Sequence, residues 1–212
     1  MKADSALARA LDRAPGRRAL VAGALAAIAV VAVALGFVVG GGVVHRAARG
    51  TRAASPRHPA APPGWVRFRD PAGKLSLAYP ASWRRLSPGD PDVRLVATGG
   101  RSASVLVRSV DLGYRVGRAN LPAVKRLTDR LVTARRGVRL LSAPKPVELD
   151  GLPGWFYFYE FRAGRRAAGA HSHYFLFDGA TMITLVFQSV PAGRFPALSG
   201  TFDRIAGTFR AR

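Results

Sequence analysis

Cysteine is missing from all 212 residues. Its absence excludes disulfides, thiolate metal sites, cysteine nucleophiles and anchoring through a lipidated cysteine. Acidic residues are scarce, 12 against 33 Lys and Arg, and no paired carboxylates stand out for general acid–base work. No Gly-x-Ser-x-Gly elbow is present for serine hydrolysis. Gly40-Gly41-Gly42 and Gly99-Gly100 lack the Lys-Ser/Thr that a P-loop needs. Zinc-finger spacing and an aromatic RNA platform are missing too, so neither a cofactor nor nucleic acid is expected.

What is present first is an apolar run. Residues 19–44 (ALVAGALAAIAVVAVALGFVVGGGVV) are 26 positions without a charged or polar side chain, bracketed by Arg17 and Arg18 and by His45 and Arg46. At about 1.5 Å per residue such a helix reaches roughly 39 Å, more than the roughly 30 Å hydrocarbon core. A cleavable signal has an apolar centre of only about 7–15 residues, so the run predicts an uncleaved single span. Ala32, Gly36 and Gly40 form a small-xxx-small line within it, a candidate for weak dimerisation between two spans.

Five Lys and Arg precede the run and four follow in residues 45–64, which favours the N-terminus inside. The stretch 45–64 is rich in Ala, Pro and Arg and reads as an extended spacer. The expected organisation is therefore a cytoplasmic basic tail at 1–18, a transmembrane helix at 19–44, a spacer at 45–64 and an extracytoplasmic domain at 65–212.

The formal net charge is +21. It is spread along the chain: +3 over 1–18, +4 over 45–64 and +14 (24 minus 10) over 65–212. Only four of the basic residues are Lys, a bias that a GC-rich genome writes everywhere. Solvated arginine faces explain the excess, and attraction to anionic lipid or an acidic wall polymer is the functional alternative.

The distal 148 residues are enough for one domain with a real core. WVRFR at 65–69 and KLSLAY at 74–79 alternate and flank Asp70-Pro71-Ala72-Gly73, which predicts a hairpin. Strands are expected at 93–98 and 103–110, split by Gly99-Gly100. A helix capped by Asn120 runs to about Arg136, with Leu121, Val124, Leu127, Thr128 and Leu131 on one stripe and Arg135 and Arg136 in its last turn. Short strands at 138–142 and 145–149 lead through a turn at Gly151-Leu152-Pro153-Gly154 to a three-stranded meander at 155–162, 170–177 and 181–190, with Asp178-Gly179-Ala180 joining the last two strands. A closing helix carries Phe195, Leu198, Phe202, Ile205 and Phe209 at three- and four-residue steps.

This order of elements resembles the PsbP-like α/β sandwich, which is also the fold of LpqN-type actinobacterial lipoproteins and of a nuclear-transport factor that binds the Ran GTPase. The residues that carry the resemblance are Tyr79, Pro80 and Trp83 of a YPxxW motif, Gly154, and the terminal Phe202 and Phe209. It implies an α+β fold, a central antiparallel sheet flanked by helices, and noncatalytic roles in binding or assembly. LpqN-like members carry a lipidated cysteine, which the apolar helix would replace here. Photosystem roles do not carry over, because fold does not fix function.

Three functions follow as expectations. The first is a noncatalytic, membrane-tethered binding or assembly module of the cell envelope, with envelope or membrane proteins as partners. The second is recognition of anionic lipid or wall polymer by the basic domain. The third is a metal-dependent hydrolase on His171, His173 and Glu160, because two histidines two apart on a strand project to one side and a neighbouring strand can bring a carboxylate to them. In YPASW, Pro80 ends a strand and Trp83 folds back over the sheet edge. On WFYFYEF, Trp155, Tyr157, Tyr159 and Phe161 share one face, and Phe156, Phe158 and Glu160 the other, which helices or a ligand must cover.

Overall fold

The computed structural model describes residues 61–134, 137–163 and 167–212. The apolar run, with Ala32, Gly36 and Gly40, lies outside the described residues, as do the basic tail, most of the spacer, and Arg135 and Arg136. Among the described residues no helix is long and apolar enough to cross a membrane.

Among the described residues, ten strands and two α-helices make two sheets and their cover. β1 (Trp65–Arg69) and β2 (Leu75–Pro80) form the expected hairpin. They do not join the main sheet. β2 is the centre of a three-stranded sheet closed by β10 (Arg210–Ala211), a two-residue strand at the end of the chain. The main sheet is antiparallel and comprises β3 (Arg84–Leu86), β4 (Val93–Gly99), β5 (Ala103–Val116), β6 (Arg139–Leu140), β7 (Lys145–Leu149), β8 (Leu152–Ala163) and β9 (Ala167–Ser189). Its order is β3-β4-β5-β9-β8-β6, with β7 also on β8.

β9 is extended over 23 residues, where two strands with a turn between them were expected. It nevertheless folds back on itself. His171 and Gln188 lie on it and are 2.9 Å apart at their polar atoms, whereas a straight strand at about 3.3 Å per residue would separate them by roughly 56 Å. Gly179 has φ +57 at the fold, as the first central residue of a type II′ turn requires. The first arm pairs with β8 through residues 167–176, and the second pairs with β5 through 179–189. The expected meander therefore stands, its turn drawn into the strand.

Other expected boundaries shift. The turn before the aromatic strand is Asp150-Gly151, with φ +51 and +78, and Leu152-Pro153-Gly154 are already β8. Two successive positive φ values are what a tight two-residue hairpin demands. The strand expected at 138–142 shrinks to β6.

α1 (Leu121–Thr133) begins with Pro122 in its first turn, where no intrahelical donor is lost. Asn120 precedes it but does not cap with its side chain. Its amide instead accepts from Gly117 N at 2.7 Å and donates to Arg115 O at 3.0 Å, holding the entry loop. α2 (Phe195–Gly207) buries Phe202, Ile205 and Ala206, and Phe209 is fully buried just beyond it.

The two faces of the main sheet are covered differently. α2 and the small sheet pack on one, around Leu95, Val105, Val107, Leu185, Phe187, Leu77, Phe202 and Phe209. α1 packs on the other, around Trp155, Tyr157, Tyr159, Phe175 and Phe177. The result is a helix layer, a sheet, and a mixed layer of helix and small sheet.

Candidate functional site

Along β8 the aromatic alternation places side chains as the sequence predicts. Trp155, Tyr157, Tyr159 and Phe161 are buried on the α1 face. Phe156 and Phe158 lie on the other face, where Phe156 meets Tyr174 at 4.8 Å and Phe158 meets Phe195 of α2 at 4.7 Å between ring centroids. A helix therefore supplies part of the cover for that second face.

On the α1 face Trp155, Tyr157 and Tyr159 carry polar tips, and each tip has a partner. Trp155 Nε1 donates to Leu121 O at 3.1 Å. Tyr157 donates to Asp129 at 2.7 Å and shares a 2.7 Å bond with the Thr128 hydroxyl. Burial, together with the neighbouring Asp129, raises the Tyr157 pKa even against the lowering effect of the Thr128 bond. Tyr159 meets Nδ1 of His171 at 3.0 Å and Nδ1 of His173 at 3.3 Å. His171 Nε2 then reaches Gln188 Oε1 at 2.9 Å.

One self-consistent assignment satisfies this chain. His173 Nδ1–H donates to the Tyr159 oxygen, Tyr159 O–H donates to His171 Nδ1, and His171 Nε2–H donates to Gln188. His173 is then neutral. His173 is 1% exposed, its Nε2 has no partner, and its ring stacks on Phe175 at 3.9 Å. Burial, and secondarily His171, hold its pKa well below the ordinary histidine value.

The third member of the expected metal triad is elsewhere. Glu160 follows Tyr159 on β8 and so points to the opposite face, where Arg139 pairs with it at 2.6 Å. The period of two on a strand forbids what proximity in sequence allowed. Among the described residues no group of three or more His, Asp or Glu is arranged to hold a metal. His171 and His173 do project together, toward a tyrosine rather than an ion.

The YPxxW motif closes the opposite side of the sheet. Tyr79 is buried on β2, and Trp83 N bonds Pro80 O at 2.9 Å in the turn that follows. The Trp83 ring lies against Gly99, where an added Cβ would stand 2.6 Å from it, and meets Phe202 edge-on at 6.3 Å. Its role is packing between the sheet edge and α2.

Sequence reasoning missed Gln188, Asp129 and the basic row built when β10 joins the small sheet. Alternation in WVRFR already put Arg67 and Arg69 on one side. Arg210 gave no such signal, because a two-residue strand has no period to read.

No protein-family model matches the chain, and no curated protein sequence matches it. Solved structures do. The solution structure of cyanobacterial PsbP (CyanoP) from Synechocystis superposes with a TM-score of 0.52 at 17% identity, over 70% of this chain and 93% of that one. The fold is PsbP-like. The Saccharomyces cerevisiae Ran-binding protein Mog1p shares this PsbP-like fold at a TM-score of 0.50 and 8% identity, over 69% and 95% of the two chains. LpqN of Mycobacterium tuberculosis, described as involved in cell envelope biogenesis, gives 0.46 at 11% identity, over 69% and 89%.

Proposed function

We propose that the chain is a noncatalytic binding or assembly module, tethered through residues 19–44 with its PsbP-like domain outside the membrane. The observation that carries the reading is how the chemistry-bearing residues are engaged. Tyr159, His171 and Gln188 are 2% exposed or less and are bound to one another, while Glu160 is held by Arg139. Such a network rigidifies a sheet and offers no reacting atom to solvent. The PsbP-like neighbour Mog1p, a Ran-binding protein by its description, supports a protein partner for this scaffold.

In-cell crosslinking of the full chain followed by mass spectrometry tests this. Recovery of one or a few membrane or envelope proteins is the expected result, and crosslinks only to abundant cytoplasmic proteins would defeat both the role and the orientation. A second reading, contact with an anionic partner, is favoured by the fate of the carboxylates. Of the ten in residues 65–212, six (Asp90, Asp92, Asp129, Glu148, Asp150 and Glu160) already sit in ion pairs. Arginines outside those pairs, such as Arg69, Arg101 and Arg126, are exposed.

A further inference from the structure

The three-stranded sheet has a second face, on the side away from the core, on which Ser76 and Ala78 are buried and Arg69 is exposed. Along β2, Leu75, Leu77 and Tyr79 belong to the core, so Ser76 and Ala78 point the other way. The register sets Arg69 and Arg210 on either side of Ser76, and Arg67 beside Ala78. Arg69, Ser76 and Arg210 thus form one row across all three strands, with Arg67 one row along. Directly opposed residues on such a face stand about 5 Å apart and diagonal ones about 7–8 Å, so the three arginines start from neighbouring positions on one patch, close enough for Arg210 and Arg69 to act electrostatically on Arg67.

This cluster lacks a matching set of carboxylates. Among the described residues Arg67 and Arg69 make no ion pair; Arg210 pairs with Asp150 at 3.6 Å, and its Nη1 also donates to Gly207 O and Phe209 O, leaving Nη2 as its remaining donor. Arg67 Nε and Nη1 are buried without a hydrogen-bond partner, and so is the Ser76 hydroxyl between the arginines. Burial, Arg210 and Arg69 all lower the Arg67 pKa, the mark of a cation crowded by cations. Donors left unused in this way are expensive, since each has lost water and gained nothing. A single carboxylate would occupy only part of the cluster. A phosphate brings several strong acceptor oxygens and more charge, and arginine recognises it well.

We propose that Arg67, Arg69, Ser76 and Arg210 form a phosphate-binding site on the outer face of the small sheet. The site rests on the second reading above and localises it. Two sources present the same chemistry, a phospholipid headgroup and a soluble phosphorylated ligand.

The test uses the full chain in a neutral detergent, titrated with inorganic phosphate by calorimetry at constant ionic strength, and separately with phosphatidic acid doped into the micelles. Arg67→Gln/Arg69→Gln is compared with Arg101→Gln/Arg126→Gln, which removes the same charge from two exposed arginines elsewhere. The expected result is a loss of about tenfold or more in the site pair and less than about twofold in the control. Displacement of bound phosphate by phosphatidic acid names the headgroup as the source; phosphate binding that phosphatidic acid does not displace names a soluble ligand. An equal loss in both double variants would overturn the site while leaving general anionic attraction in place. No binding of either probe by the unaltered chain would overturn both. Should the site pair fail to fold, Arg69→Gln alone, at an exposed position, is judged by the same comparison.

Discussion

The two faces of the main sheet are built from different chemistry, although the same strands supply both. The α2 face is hydrocarbon: Leu95, Val105, Val107, Ile183, Leu185 and Phe187 meet Phe202, Ile205 and Phe209. The α1 face sets among its phenylalanine rings the hydroxyls of Tyr157 and Tyr159, the Trp155 indole N–H and the imidazole of His171, bonded to α1 or within the sheet. Dry packing is non-directional and contributes in proportion to area. A hydrogen-bonded face contributes less per contact but fixes where each strand and helix must sit, because every misplacement strands a buried polar group. The α2 face should therefore dominate stability, and the α1 face should dominate register and pH response.

The largest effect is expected where the dry face is densest. Phe202 is 1% exposed and is met by the rings of Trp83, Phe187 and Phe195 at 6.3, 5.4 and 5.4 Å. Phe202→Ala should cost about 3–5 kcal/mol in urea unfolding, with the cavity accounting for the upper part of that range. A loss no greater than that of Tyr157→Phe would break the distinction between the faces.

How legible this was follows from the same contrast. The dry face is written in periods: the Phe195-to-Phe209 stripe and the alternation of Ile183, Leu185 and Phe187 mark the core in the sequence itself. The polar face is written in pairings between distant segments, and no local pattern shows that Tyr159, His171 and Gln188 meet. Glu160 illustrates the limit, since its sequence neighbours are on the histidine face and it is not. Gly154 is the reverse case. Sequence marked it as a motif residue, but only the register shows why: an added Cβ would stand 2.3 Å from Phe175 O across the strand pair. Short elements such as β3, β6 and β10 pair by position alone, and a two-residue strand carries too few side chains to have a period.

Acid should act on the polar face alone. His173 is neutral when folded, with its pKa depressed by burial, while in the unfolded chain it titrates near the ordinary value of about 6.5. Below that value the unfolded state binds the extra proton, so its contribution to stability is present above about pH 6.5 and is lost as pH falls, at up to about 1.4 kcal/mol per pH unit. Urea midpoints measured across this range should decline, and His173→Phe should flatten the decline. An unchanged slope in that variant would remove His173 as its source.

The smallest effect concerns how α1 is held. The Tyr157 hydroxyl donates to Asp129 and accepts from Thr128, yet both have other partners: once the tyrosine oxygen is gone, Thr128 can turn its single proton to Lys125 O, 2.9 Å away, and Asp129 is paired with Lys125 at 2.8 Å. Removing the hydroxyl therefore strands neither group completely, and Tyr157→Phe should cost about 1 kcal/mol, the net value of one buried hydrogen bond rather than the desolvation of a buried charge. The ring itself stays edge-on to Phe175 at 5.5 Å, so packing should be unchanged. Amide exchange would then rise selectively along α1 while the α2 face keeps its protection. Uniform loss across both faces would mean that the two layers are one cooperative unit in which the hydroxyl's place on a particular face carries no separate meaning.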